Sequence, residues 1–147
     1  MSSQRIDLPA LAPEAYEAMR GLEAYIRQSR LDRRLYELIK IRASQINGCV
    51  FCLNMHTREA RALGETEQRI YALNAWQEAP YYTEKERAAL ALTEAITLIA
   101  DTRVPDEVFE AARQHFDEKE LAALIIGITT INAWNRLAIT ARVPPKD

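Results

Sequence analysis

Glycine and proline are scarce, at four and six of 147 residues. Together they make up about 7% of the chain, against an average nearer 12%. A β-sandwich or barrel needs turn residues roughly every 8–12 positions, so that architecture is excluded. Cysteine is limited to two residues, which rules out the disulfide framework of a small secreted domain. Neither sign of charge is in large excess: 19 Lys and Arg stand against 21 Asp and Glu, for a net charge of −2. With no polybasic cluster, neither a nucleic acid nor an anionic membrane surface is an expected partner. The longest uncharged run, Leu121 to Asn135, has fifteen residues and contains Thr and Asn. It is too short and too polar to span a bilayer. The opening MSSQRIDLPALAPE lacks the apolar stretch of a signal peptide, so a soluble, cytoplasmic protein is expected. There is no G-x-G-x-x-G and no P-loop, and no cofactor is expected.

Ala, Leu, Glu and Arg, all strong helix formers, supply close to half of the residues. The expected fold is all-α, a single domain over 1–147 with its core over about 35–140 and about six or seven helices. Its length allows about two-thirds of the unfolded surface to be buried. The first helix is predicted to start at Pro13 and to bury Tyr16, Met19, Leu22 and Ile26. A second starts near Asp32, buries Leu35, Leu38, Ile39 and Ile46, and stops at Asn47-Gly48. The third runs from Cys49 to Leu63, with Gly64 as its left-handed stop. A fourth spans about Thr66 to Ala75. Thr83 with Glu86, and Asp117 with Glu120, read as capping boxes for two later helices, the first running through Ile99 and the second to about Ala138. Between them Pro105-Asp106 opens a short helix that buries Val108 and Phe109. The last helix is apolar nearly all round, as a buried central helix would be.

The chemistry concentrates in Ile46 to Glu65, INGCVFCLNMHTREARALGE. On a helix, Cys49, Cys52 and His56 fall within an arc of roughly 60°. Both thiols lie in the first turn, where free N–H groups and the helix dipole favour thiolate. His56, one turn beyond Cys52, can exchange a proton with its sulfur directly or through water. A zinc site needs four ligands, and the only further histidine, His115, is in a distant turn, so no metal is expected. Phe51 and Met55 read as core residues, and Tyr81-Tyr82 as a packed loop. Glu37 sits among apolar neighbours and is costly to bury unless paired. Read alone it is a surface ion pair with Arg33, Arg34 or Lys40, and periodicity leaves its distance from the cysteines open. Asn132, Trp134, Asn135 and Arg136 form a polar cluster that either braces helices or a subunit contact, or lines the site.

The pattern Glu37-x11-Cys49-x2-Cys52-x3-His56, inside LYELIKIRASQINGCVFCLNMHTREARALGE, resembles the alkylhydroperoxidase D-like group of the carboxymuconolactone decarboxylase superfamily. The resemblance extends through YYTEKERAALALTEA and the later INAWNRLAI. It implies a helical fold assembled as a homo-oligomer, a trimer or hexamer. It also implies a thiol peroxidase acting on hydrogen peroxide or organic hydroperoxides and recharged by an external dithiol or a lipoyl-type reductant. In that reading Cys52 attacks the peroxide, Cys49 closes the disulfide, and His56 with Glu37 relays the proton. The helix dipole alone would favour Cys49 as the attacking thiol; the family pattern and the nearness of His56 favour Cys52. The best-known members carry a histidine between the cysteines, where this chain has Phe51. The decarboxylase branch shares the fold but uses no cysteine pair, so the pair argues against decarboxylation. Three other functions stand beside the peroxidase: a disulfide reductase or redox-sensing adaptor, a decarboxylase-like enzyme, and a noncatalytic oligomeric scaffold.

Overall fold

The computed structural model describes residues 3–146. Among them there are nine α-helices, one 3-10 turn at Leu73–Ala75 and no strand. The helices are α1 (Leu8–Leu11), α2 (Pro13–Gln28), α3 (Arg33–Asn47), α4 (Val50–Ala62), α5 (Glu67–Tyr71), α6 (Glu84–Thr97), α7 (Ile99–Thr102), α8 (Asp106–His115) and α9 (Glu118–Ala141). The fold is all-α as expected, but the count of six or seven helices is too low. The two additions are single turns. Helix α1 forms where the Asp7 side chain accepts the Ala10 N–H. Helix α7 is cut from α6 at Leu98, and the Thr102 hydroxyl donates back to the Ala95 carbonyl.

Local chemistry accounts for the boundaries of the long helices. Asp32 caps α3 through the Leu35 N–H, and Gly48 ends it in the left-handed region at φ 74°. Both capping boxes form, Thr83 with Glu86 on α6 and Asp117 with Glu120 on α9. The segment expected as one helix from Thr66 to Ala75 is instead α5 followed by the 3-10 turn.

Helix α3 is the axis of the molecule. Leu35, Tyr36 and Ile39 join Ile26, Leu92, Phe116, Leu124 and Ile128 in one hydrophobic cluster. Leu38 and Ile41 join Ala60, Leu73, Trp76, Tyr82 and Leu90 in a second. Several expectations of burial are corrected: Ile46 on α3 and Val108 and Phe109 on α8 are half-buried. On α2 only Ile26 is buried; Tyr16 and Met19 are half-buried and Leu22 is exposed. Tyr16 faces a cavity, whereas Ile26 both lines that cavity and packs into the first cluster. On α9, Ala122, Thr129 and Ile139 reach the surface. That helix has 24 residues and is long and apolar enough to cross a membrane; half of its most apolar window is buried within this fold.

Candidate active site

The corner between α3 and α4 presents the cysteines. Gly48 turns the chain, and Cys49 becomes the N-cap of α4, its sulfur accepting the Cys52 N–H at 3.3 Å. The two sulfurs are bonded, with Cα atoms 5.3 Å apart. Both cysteines are buried. One turn along α4, His56 is buried as well. Its Nδ1 lies 3.2 Å from Glu59 Oε2 and 3.4 Å from Glu37 Oε1. Glu37 comes from α3 and is only 4% exposed. Its other oxygen is 2.7 Å from Lys40 Nζ. The ion pair with Lys40 is therefore present, but it is buried and not at the surface. The Lys40 ammonium also lies 4.0 Å from Glu59 and 4.1 Å from the centre of the Tyr36 ring.

These groups open onto one cavity of about 650 Å³, bounded by α2, α3, α4 and α9. Cys52, His56, Glu37, Lys40 and Glu59 form part of its wall, and Cys49 does not. Elsewhere on the wall the Glu23 carboxylate accepts the Tyr36 hydroxyl at 3.1 Å and the Trp134 indole N–H at 3.1 Å. Tyr16 packs on Trp134 with ring centres 5.4 Å apart. Ile26, Leu31, Leu63 and Leu137 supply apolar surface.

Burial pulls the His56 imidazolium toward lower pKa, but hydrogen bonds to Glu37 and Glu59 outweigh it, and His56 titrates above its ordinary 6.5. Lys40 acts in the same direction as burial. The hydrogen bond from His56 holds Glu59 down at about 2. Burial beside Glu23 pushes the Tyr36 hydroxyl far up. Glu37, His56 and Glu59 bring donor atoms within 4.8 Å of one another, the spacing of a metal site. Lys40 already supplies the cation there, and its ammonium opposes a second one.

A family model for the carboxymuconolactone decarboxylase family matches residues 11–95, more than half of the chain. The chain belongs to this family. The uncharacterized protein YdfG of Bacillus subtilis strain 168 is 51% identical over 137 residues, which are 93% of each chain. A crystal structure from Agrobacterium tumefaciens, Atu0492, is 43% identical, has a TM-score of 0.95 and covers 99% of both chains. That protein is described as of unknown function and as a candidate antioxidant defence protein AhpD. An uncharacterized peroxidase-related protein from Ralstonia eutropha JMP134, an alkylhydroperoxidase AhpD core, shares the fold at 22% identity with a TM-score of 0.81, covering 95% of this chain and 74% of that one. Within the carboxymuconolactone decarboxylase family this chain is AhpD-like.

The four residues that the resemblance singles out are thus neighbours in space. Glu59 is not among the residues that the resemblance marks, although it stands three residues after His56, at helical spacing on the same face. Lys40 is expected from the sequence only as a surface partner of Glu37. Phe51 and Met55 line the cavity and are not core residues. Of the late polar cluster, Asn132 and Asn135 brace helices, and Arg136 donates to the Asn132 side chain and carbonyl. Trp134 parts from them and lines the cavity. Tyr82 is buried, whereas Tyr81 remains 38% exposed. His115 ends α8 and is absent from the cavity wall.

Proposed function

We propose that the chain is a thiol-dependent peroxidase working through a Cys52–Cys49 dithiol and disulfide cycle. The observation that carries this reading is the placement of Cys52 in the cavity wall beside His56 and Glu37, with Cys49 bonded behind it. In the reduced protein Cys52 passes its proton to His56, directly or through water. Because His56 Nδ1 meets the carboxylates, Nε2 is the nitrogen left to accept that proton. The thiolate attacks one peroxide oxygen, so an S–O bond forms and the O–O bond breaks. The departing alkoxide takes the imidazolium proton and leaves as an alcohol. Cys49 then attacks the Cys52 sulfenic acid, the disulfide closes and water departs. The peroxide gains two electrons and the thiol pair loses two, to be restored by an external dithiol.

Size favours an organic hydroperoxide. A water molecule's share of the liquid is about 30 Å³, so hydrogen peroxide would occupy a small part of 650 Å³. That volume is typical of sites for organic ligands.

Replacing Cys49 with Ser should leave the first step intact and trap one sulfenic acid per chain, read by mass spectrometry with a sulfenic-selective probe. Replacing Cys52 with Ser should abolish the fast step, a loss on the order of 10²–10⁴-fold. Trapping in the Cys52 variant with an inert Cys49 variant would reverse the roles. Thiols untouched by peroxide would end the peroxidase reading. A protein that reduces disulfides but consumes no peroxide is the reductase or adaptor. A homo-oligomer belongs to the same proposal, supported by the exposed Leu11, Leu22 and Tyr25 on α1 and α2. Sedimentation of a lone monomer would remove that part.

A further inference from the structure

The mechanism above uses Glu37 and His56 and leaves Lys40 without a role, although its ammonium is 2.7 Å from Glu37 and buried in the same wall. A buried ammonium is costly, so its pairing has to be accounted for. The charges that share the cavity with His56 come from three helices. Helix α3 supplies Glu37, Lys40 and Arg33, with the Tyr36 hydroxyl; helix α4 supplies Glu59 and the bonded Cys52. Helix α2 supplies Glu23 and Arg27, which act on the Tyr36 hydroxyl. The α9 part of the wall, Trp134, Leu137 and Ala138, carries no ionisable group.

Around the imidazole itself stand two carboxylates and one ammonium: Glu37, Glu59 and Lys40. With His56 protonated, the four groups sum to zero. With His56 neutral, they sum to −1. Without Lys40 those sums become −1 and −2, and the proton on His56 is held by two uncompensated carboxylates in a partly dry cavity. A relay whose proton is held that firmly gives it up poorly.

We propose that Lys40 is a positioning residue of the proton relay: by neutralising Glu37 it keeps the His56 proton exchangeable, so that the imidazole can take a proton from Cys52 and give one to the departing oxygen. The assignment rests on the peroxidase reading for its purpose but not for its physics. The charge balance exists in the disulfide form, where no peroxide and no titrating thiol are involved.

The test is an NMR titration of the two histidines in the oxidised protein, with His56→Gln assigning the signal and His115 as reference. Lys40→Met should move the His56 midpoint up by about one pH unit or more, and Lys40→Arg should leave it near that of the wild type. Should Lys40→Met fail to fold, the double variant Glu37→Gln with Lys40→Met removes both charges and leaves a neutral pair of similar volume. In it the midpoint should return close to wild type, whereas Glu37→Gln alone should lower it. An unmoved midpoint in Lys40→Met overturns the proposal, as does a double variant that matches Glu37→Gln alone. The pH profile of thiol oxidation by peroxide is the second readout: in Lys40→Met its alkaline limb should move up with the His56 midpoint. A moved NMR midpoint with no peroxide reaction in the wild type would leave the role of Lys40 in place and refute the peroxidase reading.

Discussion

At the scale of single residues the site depends on a carboxylate placed where solvent is nearly excluded. Glu37 reaches His56 from a different helix, and in the proposed relay its negative charge stabilises the imidazolium and, through it, the Cys52 thiolate. Glu37→Gln keeps the shape and removes that charge. Thiol titration should show the Cys52 pKa rising and the peroxide reaction slowing about tenfold or more, the lower end of what a proton-transfer partner contributes. Unchanged thiolate formation would reduce Glu37 to a structural partner of Lys40. This contrast shows what was legible in the residues themselves. Cys49, Cys52 and His56 lie on one helix, so their spacing alone puts them on one face. Glu37 lies across a helix–helix contact that no periodicity encodes, and only the family resemblance joined it to them. Lys40 could be read as its ion-pair partner, but whether that pair is at the surface or buried is decided by the packing of α3 against α4 and α9, not by local sequence.

At the scale of elements, the corner carrying the cysteines is held by a buried amide network. Asn47, at the end of α3, donates to both Asn132 and Asn135 at 2.9 Å. Asn135, fully buried, donates in turn to Ser44, and Asn132 to Thr97. The network joins α3, α6 and α9 directly behind the Gly48–Cys49 turn, whose two N–H groups both bond to the Ser44 carbonyl. Asn135→Leu keeps the volume and removes two hydrogen bonds, leaving polar groups of Asn47 and Ser44 short of a partner away from water. The expected loss is about 2–3 kcal/mol of folding stability, read as a lowered denaturant midpoint in the oxidised protein. A midpoint unchanged from wild type would mean that the network adapts freely. The sequence identified Asn132 and Asn135 as polar residues in an apolar helix, and their need for partners made bracing the natural reading. Asn47 escaped it, because a residue before a turn glycine looks like part of the helix stop. The capping boxes of α6 and α9 were fully legible because both partners lie within one turn. The break at Leu98 was not, because it depends on how α7 packs after α6 and on the left-handed residues Arg103 and Val104 that follow.

At the scale of the whole molecule, the site makes stability depend on pH through two groups whose pKa values are shifted in opposite directions. Glu59 is held at about 2, well below its ordinary 4.5, mainly by its hydrogen bond to His56. Its contribution is therefore complete above about pH 4.5 and is lost as the pH falls toward 2. His56 is raised above its ordinary 6.5. Its contribution is complete below about 6.5 and is lost as the pH rises through the higher folded-state value. The overlap predicts that the oxidised protein gains most from this pair between about pH 4.5 and 6.5. Glu59 is half exposed, so solvent screens the gain, and the shape of the curve carries the prediction more than its height. The clean measurement is the difference in Tm between wild type and Glu59→Gln across pH. Subtraction cancels other acid-sensitive pairs, including Glu86 with Arg69, whose carboxyl is also lowered. The difference should be small near pH 2, grow to a plateau through the window, and shrink again on the alkaline side as His56 loses its proton. A difference that stays constant above pH 6.5 would show that Glu59 is held by something other than the imidazolium. Lys40, 4.0 Å away, is the group that would then hold it.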